Sequence, residues 1–229
     1  MTHRPKSREG TPRSSRATVP PQALACVRRW PSPAARMWAE QWVPEICAVR
    51  EVSAVIVVGS CVRDVPVSSD LDLVVIYEST KPVFPTPPID VDLRSYPKAK
   101  VEERIAAGHD FLGWAVRFGC LVCEHHSYWT GVRRKWAQRL PLPSPAVADK
   151  RAEQAGKRFS ELKAMGDEDA AQEQRLAMLT HRARAYLIRA GIYPASRPEL
   201  PAQLKSLGEK DISKKLEDTI AWFDTPREE

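Results

Sequence analysis

Two carboxylates alternate with leucines in Asp70-Leu71-Asp72-Leu73, directly ahead of the apolar run Val74-Val75-Ile76. Shortly before, a β-branched run, Val55-Ile56-Val57-Val58, ends on Gly59-Ser60. The pattern is strand, turn, strand. Successive strand residues point to opposite faces, so Asp70 and Asp72 share one face about 6.6 Å apart while Leu71 and Leu73 point to the core. Two acids on a buried edge repel each other unless a hard cation shares them, and the pair therefore reads as a magnesium site. Gly59 lets the backbone approach a phosphate, and Ser60 offers a hydroxyl and an N–H to its oxygens.

A third strand is expected over Ile89-Asp90-Val91-Asp92-Leu93-Arg94, where acids again alternate with apolar residues. Asp90 and Asp92 fall on one face of it. The segment between the second and third strands, Lys81-Pro82-Val83-Phe84-Pro85-Thr86-Pro87-Pro88, cannot donate to a sheet ladder and is a loop.

The net charge of +6 is concentrated at one end. Residues 1–30 hold seven bases against one acid, and the remaining residues balance at 28 of each. A neutral body gives no compositional case for tracking a nucleic-acid backbone, so no specific nucleic-acid partner is expected. Five cysteines, an odd number scattered through a chain of ordinary size, favour a reducing compartment over a disulfide framework. The longest apolar run is about half a membrane span, and no membrane association is expected. The protein reads as cytoplasmic. Cys120 and Cys123 with His125 and His126 have tempting zinc spacing, but a strand sends the two thiols to opposite faces. They read as core cysteines and surface histidines.

Residues 1–22 read as a disordered basic tail. Helix is expected between about 23 and 50, with a kink or restart at Pro44, and again from Pro97 to about Phe118. Pro141, Pro143 and Pro145 form a stiff linker. Beyond it Ala148, Ala152, Ala155, Phe159 and Leu162 make one helical stripe, and Leu176, Leu179, Ala183, Tyr186 and Leu187 a second. Ser196 with Glu199 has the spacing of a capping box, and Asp211 can cap a last helix. The fold class is α/β: a small mixed twisted sheet with flanking helices over 23–140, then a helical bundle over 145–229.

Val58-Gly59-Ser60-Cys61-Val62-Arg63-Asp64, followed by Ser69-Asp70-Leu71-Asp72-Leu73 and by Val91-Asp92-Leu93, resembles the DNA polymerase β-like nucleotidyltransferase superfamily. Within it the chain is similar to the minimal nucleotidyltransferases, which carry a helical domain after the catalytic one. The resemblance implies transfer of a nucleoside monophosphate from an NTP, with ATP the first choice, to an acceptor hydroxyl. It implies two Mg2+ ions held by Asp70, Asp72 and a third acid, with pyrophosphate as leaving group. The family pattern of an Asp between a β-branched residue and Leu selects Asp92 as that acid, with Asp90 as second choice. Gly59, Ser60, Arg63 and Ser69 would bind the nucleotide. Many relatives carry glycine where this chain has Asp64, whose charge opposes a nearby phosphate.

The expected acceptor is a small molecule, an aminoglycoside being one member of that class. Two other readings are a toxin–antitoxin-type enzyme that modifies or masks a protein partner, and a nucleotide-binding regulator without turnover. Arg175-x5-His181 resembles the Arg-x(4–6)-His motif of helical ribonucleases that accompany such enzymes. Six residues turn an ideal helix by about 600°, however, which leaves the two side chains some 120° apart.

Overall fold

The computed structural model describes residues 24–66 and 68–224. The expected tail, 1–22, lies outside the described residues. Four strands form one sheet in the order β3-β2-β1-β4, with β1 Val52–Val58, β2 Leu71–Tyr77, β3 Val91–Pro97 and β4 Cys120–Glu124. β1 runs antiparallel to both β2 and β4, while β2 and β3 are parallel. The expected mixed sheet with flanking helices is what the chain forms.

Every residue of β1 is buried, which is why its sequence is apolar apart from Ser53 rather than an alternation; the Ser53 hydroxyl donates to Glu78 Oε1 at 2.8 Å. Helix α1, Pro33–Ala48, covers one face of the sheet, burying Val43 and Ile46 against Val55, Val57, Leu71, Leu73 and Val75. Helices α2, Lys98–Ala106, α3, Asp110–Phe118, and α4, Tyr128–Trp136, cover the other face over Ile56, Val74 and Ile76. Asp72 has the parity of Val74 and Ile76. It therefore lies on the α2–α4 side, at the end of β2 where that helical layer stops.

α1 runs on through Pro44 without restarting; the missing N–H removes one helical hydrogen bond and packing holds the rest. The expected single helix from Pro97 to Phe118 is two, divided at Gly108, whose φ of +73° ends α2. β3 begins at Val91 rather than Ile89. The Val91 N–H turns back to the Pro88 carbonyl at 3.0 Å, and Ile89 is fully exposed.

Beyond the prolines, α5 Pro145–Ala164 and α6 Glu168–Arg189 pack side by side, followed by α7 Leu200–Ser206 and α8 Lys210–Asp224. Ala148, Ala152 and Ala155 are buried on α5, as their stripe predicts. Leu179, Ala183 and Leu187 of α6 share a core with Leu200, Leu204 and Leu216. Ser196 and Glu199 form the expected capping box. At α8 it is the Glu209 carboxylate, not the expected Asp211, that accepts the Ile212 N–H, at 3.4 Å.

No disulfide framework was expected of the five cysteines, and the structure contains one bridge. Cys47 of α1 and Cys123 of β4 form a disulfide with a Cα–Cα separation of 6.1 Å, leaving Cys26, Cys61 and Cys120 free. This ties the last turn of α1 to the edge strand β4 and removes one of the zinc ligands that the Cys-x-x-Cys spacing suggested. No helix among the described residues is long and apolar enough to cross a membrane.

Candidate functional site

β1 delivers the chain to Gly59, which adopts φ +89° and ψ −169°, a conformation open only to glycine. A Cβ there would also stand under 3.0 Å from Asp72 Oδ2. Val58 lies opposite Asp72 in the β1–β2 ladder, so the turn folds directly over that carboxylate. Ser60 opens a 3-10 turn, Ser60–Val62. Its Oγ is 2.8 Å from Ser68 Oγ, and the Ser68 hydroxyl donates to the Asp70 carbonyl at 3.0 Å. With that proton committed, Ser60 is the donor of the first bond. The Ser69 hydroxyl donates to Asp70 Oδ1 at 3.1 Å. Three serines thus fix the turn to the start of β2.

The parallel register sets Asp72 beside Asp92. Burial, then the charges of Asp70 and Asp92, push the mostly buried Asp72 carboxyl up to about 7, against the pull of Arg94 and Arg184. Asp92 Oδ2 accepts from both Arg94 Nε, at 2.8 Å, and Arg94 Nη2. The Arg94 guanidinium in turn lies over the Phe111 ring, 4.2 Å from its centroid. Asp90 precedes β3, and its backbone carbonyl accepts the Leu71 N–H at 2.8 Å.

Arg63 is occupied elsewhere. Its Nε and Nη2 donate to the two carboxylate oxygens of Glu199 at 3.0 and 2.5 Å, and the guanidinium stacks 4.7 Å over Phe118. Arg63 and the exposed Asp64 border a separate hollow beside Glu199. The Asp64 charge is thus turned away from the acids.

Gly59, Ser60, Ser69, Asp70 and Asp72 form the floor of a cavity of about 1000 Å³. Its far wall comes from α5, α6 and α8 and from the segment between α6 and α7. That segment is held to α3 by the Trp114 indole N–H, which donates to the Pro194 carbonyl at 3.2 Å, and by the Tyr193 hydroxyl, which donates to the Asp110 carbonyl at 3.3 Å. Trp114 is therefore a wall tie, and Trp129 is a core residue, 1% exposed. Asp92, Asp90 and Arg63 do not line the cavity.

No model of a protein family matches the chain. No curated protein matches it either. Among solved structures it is similar to a nucleotidyltransferase-like protein from Exiguobacterium sibiricum 255-15, with 18% identity and a TM-score of 0.38. The match covers 80% of this chain and 65% of that one, so the chain spans less than two thirds of that protein's length.

The donor chemistry of the floor suits a hard divalent cation: carboxylate oxygens from Asp70 and Asp72, burial and like-charged neighbours that hold the Asp72 carboxyl up at about 7, and a glycine cradle over it. Among the described residues no group of three or more His, Cys, Asp or Glu is gathered for a metal, since Asp92 is turned to Arg94. Asp92 would join the other two only after leaving that arginine.

Three basic residues of the cavity carried no local signal in the sequence: Arg151, Arg184 and Arg197. Of the pair Arg175 and His181, only His181 reaches the cavity, in keeping with the angle between them. The one sequence trace of this wall is the spacing of Gln174, Ala177, His181, Arg184 and Ile188, a stripe along α6 that mixes polar and apolar residues.

Proposed function

We propose that the protein is a nucleotidyltransferase that moves a nucleoside monophosphate from an NTP, with ATP preferred, to a hydroxyl of a small molecule. The observation that supports it is Asp72, set beside Asp92 by the strand register and under the Gly59-Ser60 turn, on the floor of a cavity large enough for two ligands. The catalytic part spans 23–140 and the helical part 145–229, with the cavity between them.

Gly59 and Ser60 receive the phosphate tail, Gly59 by leaving the backbone uncovered and Ser60 through its hydroxyl and N–H. Ser69 holds the Asp70 carboxylate in place. Asp70 and Asp72 would hold Mg2+, and Asp92 would complete the set after exchanging Arg94. Bound there, Mg2+ supplies charge neutralisation of the phosphoryl oxygens and lowers the pKa of a coordinated hydroxyl. The acceptor oxygen forms a bond to the α-phosphorus as the bond to the bridging oxygen breaks. Pyrophosphate leaves, and the Asp92 carboxylate, once released from Arg94, takes the acceptor's proton.

The test uses labelled NTPs with Mg2+ and a broad pool of acceptors, alongside Asp70→Ala. Transfer of label to a small molecule by the wild type, lost in the variant, is the expected result. Equal binding of magnesium-nucleotide by both proteins would show that the acids are not the metal site, and nucleotide binding without turnover on any acceptor would overturn the transferase reading.

A further inference from the structure

The cavity has a second charged surface, opposite in sign to its floor. Arg184 of α6 lines it, half-buried, and makes no hydrogen bond or ion pair with another described residue. His181, one turn earlier on the same face, buries its Nδ1 with no partner. Arg197, ahead of α7, and Arg151, on α5, complete this surface. Arg151 is the one that is matched, by Asp110 Oδ2 at 2.5 Å.

An arginine cannot shed its proton, so Arg184 stays charged in a site where water reaches it poorly. Burial and the charge of Arg197 both act against it, and Asp110 and Asp72 offset them only in part. His181 cannot help by ionising: burial and the three arginines hold its imidazole down at about 4. The Arg184 guanidinium therefore lines the cavity with its hydrogen-bonding capacity unspent, beside the neutral imidazole of His181 and the charge of Arg197. An anion with several acceptor oxygens satisfies the guanidinium. The planar guanidinium fork matches a phosphate in shape as well as charge.

We propose that Arg184, with His181 and Arg197, forms an anion subsite on the α6 wall that takes a phosphate group of the ligand and shuts out polycationic acceptors of the aminoglycoside type. Only the role of that phosphate rests on the nucleotidyl-transfer reading. The group is either the tail of the nucleotide or a phosphate carried by the acceptor, and both present the same chemistry to Arg184.

The experiment is calorimetric titration of the full chain with inorganic pyrophosphate in EDTA at fixed ionic strength. Wild type binds; Arg184→Gln weakens binding about tenfold or more, the loss of a charged hydrogen-bond partner. Arg184→Lys recovers part of it. Arg182→Gln, on the exposed face of α6, leaves it unchanged. The unliganded melting temperature of Arg184→Gln is no lower than that of wild type, because an unmatched buried charge has been removed. Wild-type affinity in Arg184→Gln, loss in Arg182→Gln, or tighter binding of an aminoglycoside than of pyrophosphate would overturn the proposal. A parallel titration with magnesium-ATP separates the two sources. A matching loss in Arg184→Gln assigns the subsite to the nucleotide tail, and unchanged ATP affinity assigns it to a phosphorylated acceptor. If label transfer fails while pyrophosphate binding still depends on Arg184, the transferase reading falls and the subsite stands.

Discussion

Gly59 and Asp72 are fitted to each other: the glycine's missing side chain is the space that the Asp72 carboxylate fills. Gly59→Ala meets two obstacles at once, a backbone conformation with φ +89° and a Cβ driven into Asp72 Oδ2. The substitution should destabilise the fold by about 1–3 kcal/mol and weaken divalent-cation binding, because the carboxylate must swing away. Gly131→Ala is the matched control. Residue 131 lies in α4 with nothing near its prospective Cβ, so alanine there should be neutral or stabilising by about 1 kcal/mol. Urea denaturation of both variants, with calorimetric titration of Mg2+, reads the contrast; equal effects at the two positions would remove the special fit at residue 59.

The pH dependence of the metal-free protein follows from two groups of opposite sign. Asp72 ionises at about 7 in the folded chain and near 3.8 in the unfolded one. The folded state keeps the proton across that window, so stability falls as the pH rises from about 4 to 7. Above it the buried charge costs up to about 4 kcal/mol, which Asp72→Asn should recover. His181 is the reverse: its folded value of about 4 lies below its ordinary 6.5, and its contribution is present above 6.5 and lost as the pH falls toward 4. Thermal melts in EDTA at pH 5 and pH 8 should place Asp72→Asn modestly above wild type at the lower pH and much further above it at the higher. Coincident curves at pH 8 would mean that Asp72 is not held under strain by its neighbours.

How far the sequence carries the site depends on the distance over which its contacts act. The alternation Asp70-Leu71-Asp72-Leu73 sets side-chain direction by strand geometry alone, and Leu71 and Leu73 are indeed fully buried. The pairing of Asp92 with Arg94 is equally legible, since residues two apart on a strand share a face, yet the family pattern assigned Asp92 to the metal and the alternation ran the strand back to Ile89. Ile89 fails as a strand residue because Pro88 closes a turn onto Val91. Arg184 and Arg197 are another matter. They reach the acids only because Tyr193 and Pro194, ahead of α7, and Arg151, on α5, are tied to α3, and no spacing within the chain encodes that. Cys47 and Cys123, separated by 76 residues, are likewise joined only once α1 lies on the sheet.

That disulfide gives a direct chemical prediction. Denatured without reductant, the chain should show three titratable thiols of its five cysteines, and five after reduction. Cross-linking residues so far apart restricts the unfolded chain, so Cys47→Ala or Cys123→Ala under oxidising conditions should cost about 2–4 kcal/mol. Cys120→Ala, which breaks no bridge, should leave the thiol-blocked protein nearer to wild type. Five free thiols in the unreduced protein would dissolve the staple.

Arg63 and Glu199 test whether the turn after β1 is held by the helical segment or is free to serve the nucleotide. The pair is bidentate, with both side chains about three-quarters shielded from solvent, and Glu199 is itself held by the Ser196 hydroxyl at 2.5 Å. A shielded fork of this kind should couple by about 1 kcal/mol. In a double-mutant cycle Arg63→Gln and Glu199→Gln should each lower stability, and the double variant should lose less than their sum. Because Arg63 faces the hollow beside Glu199 and not the acid floor, Arg63→Gln should leave magnesium-nucleotide affinity within a factor of about three, under 1 kcal/mol. Additive stability losses combined with a tenfold drop in nucleotide affinity would reverse the assignment, making the ion pair incidental and Arg63 a phosphate contact that swings across the turn to reach its ligand.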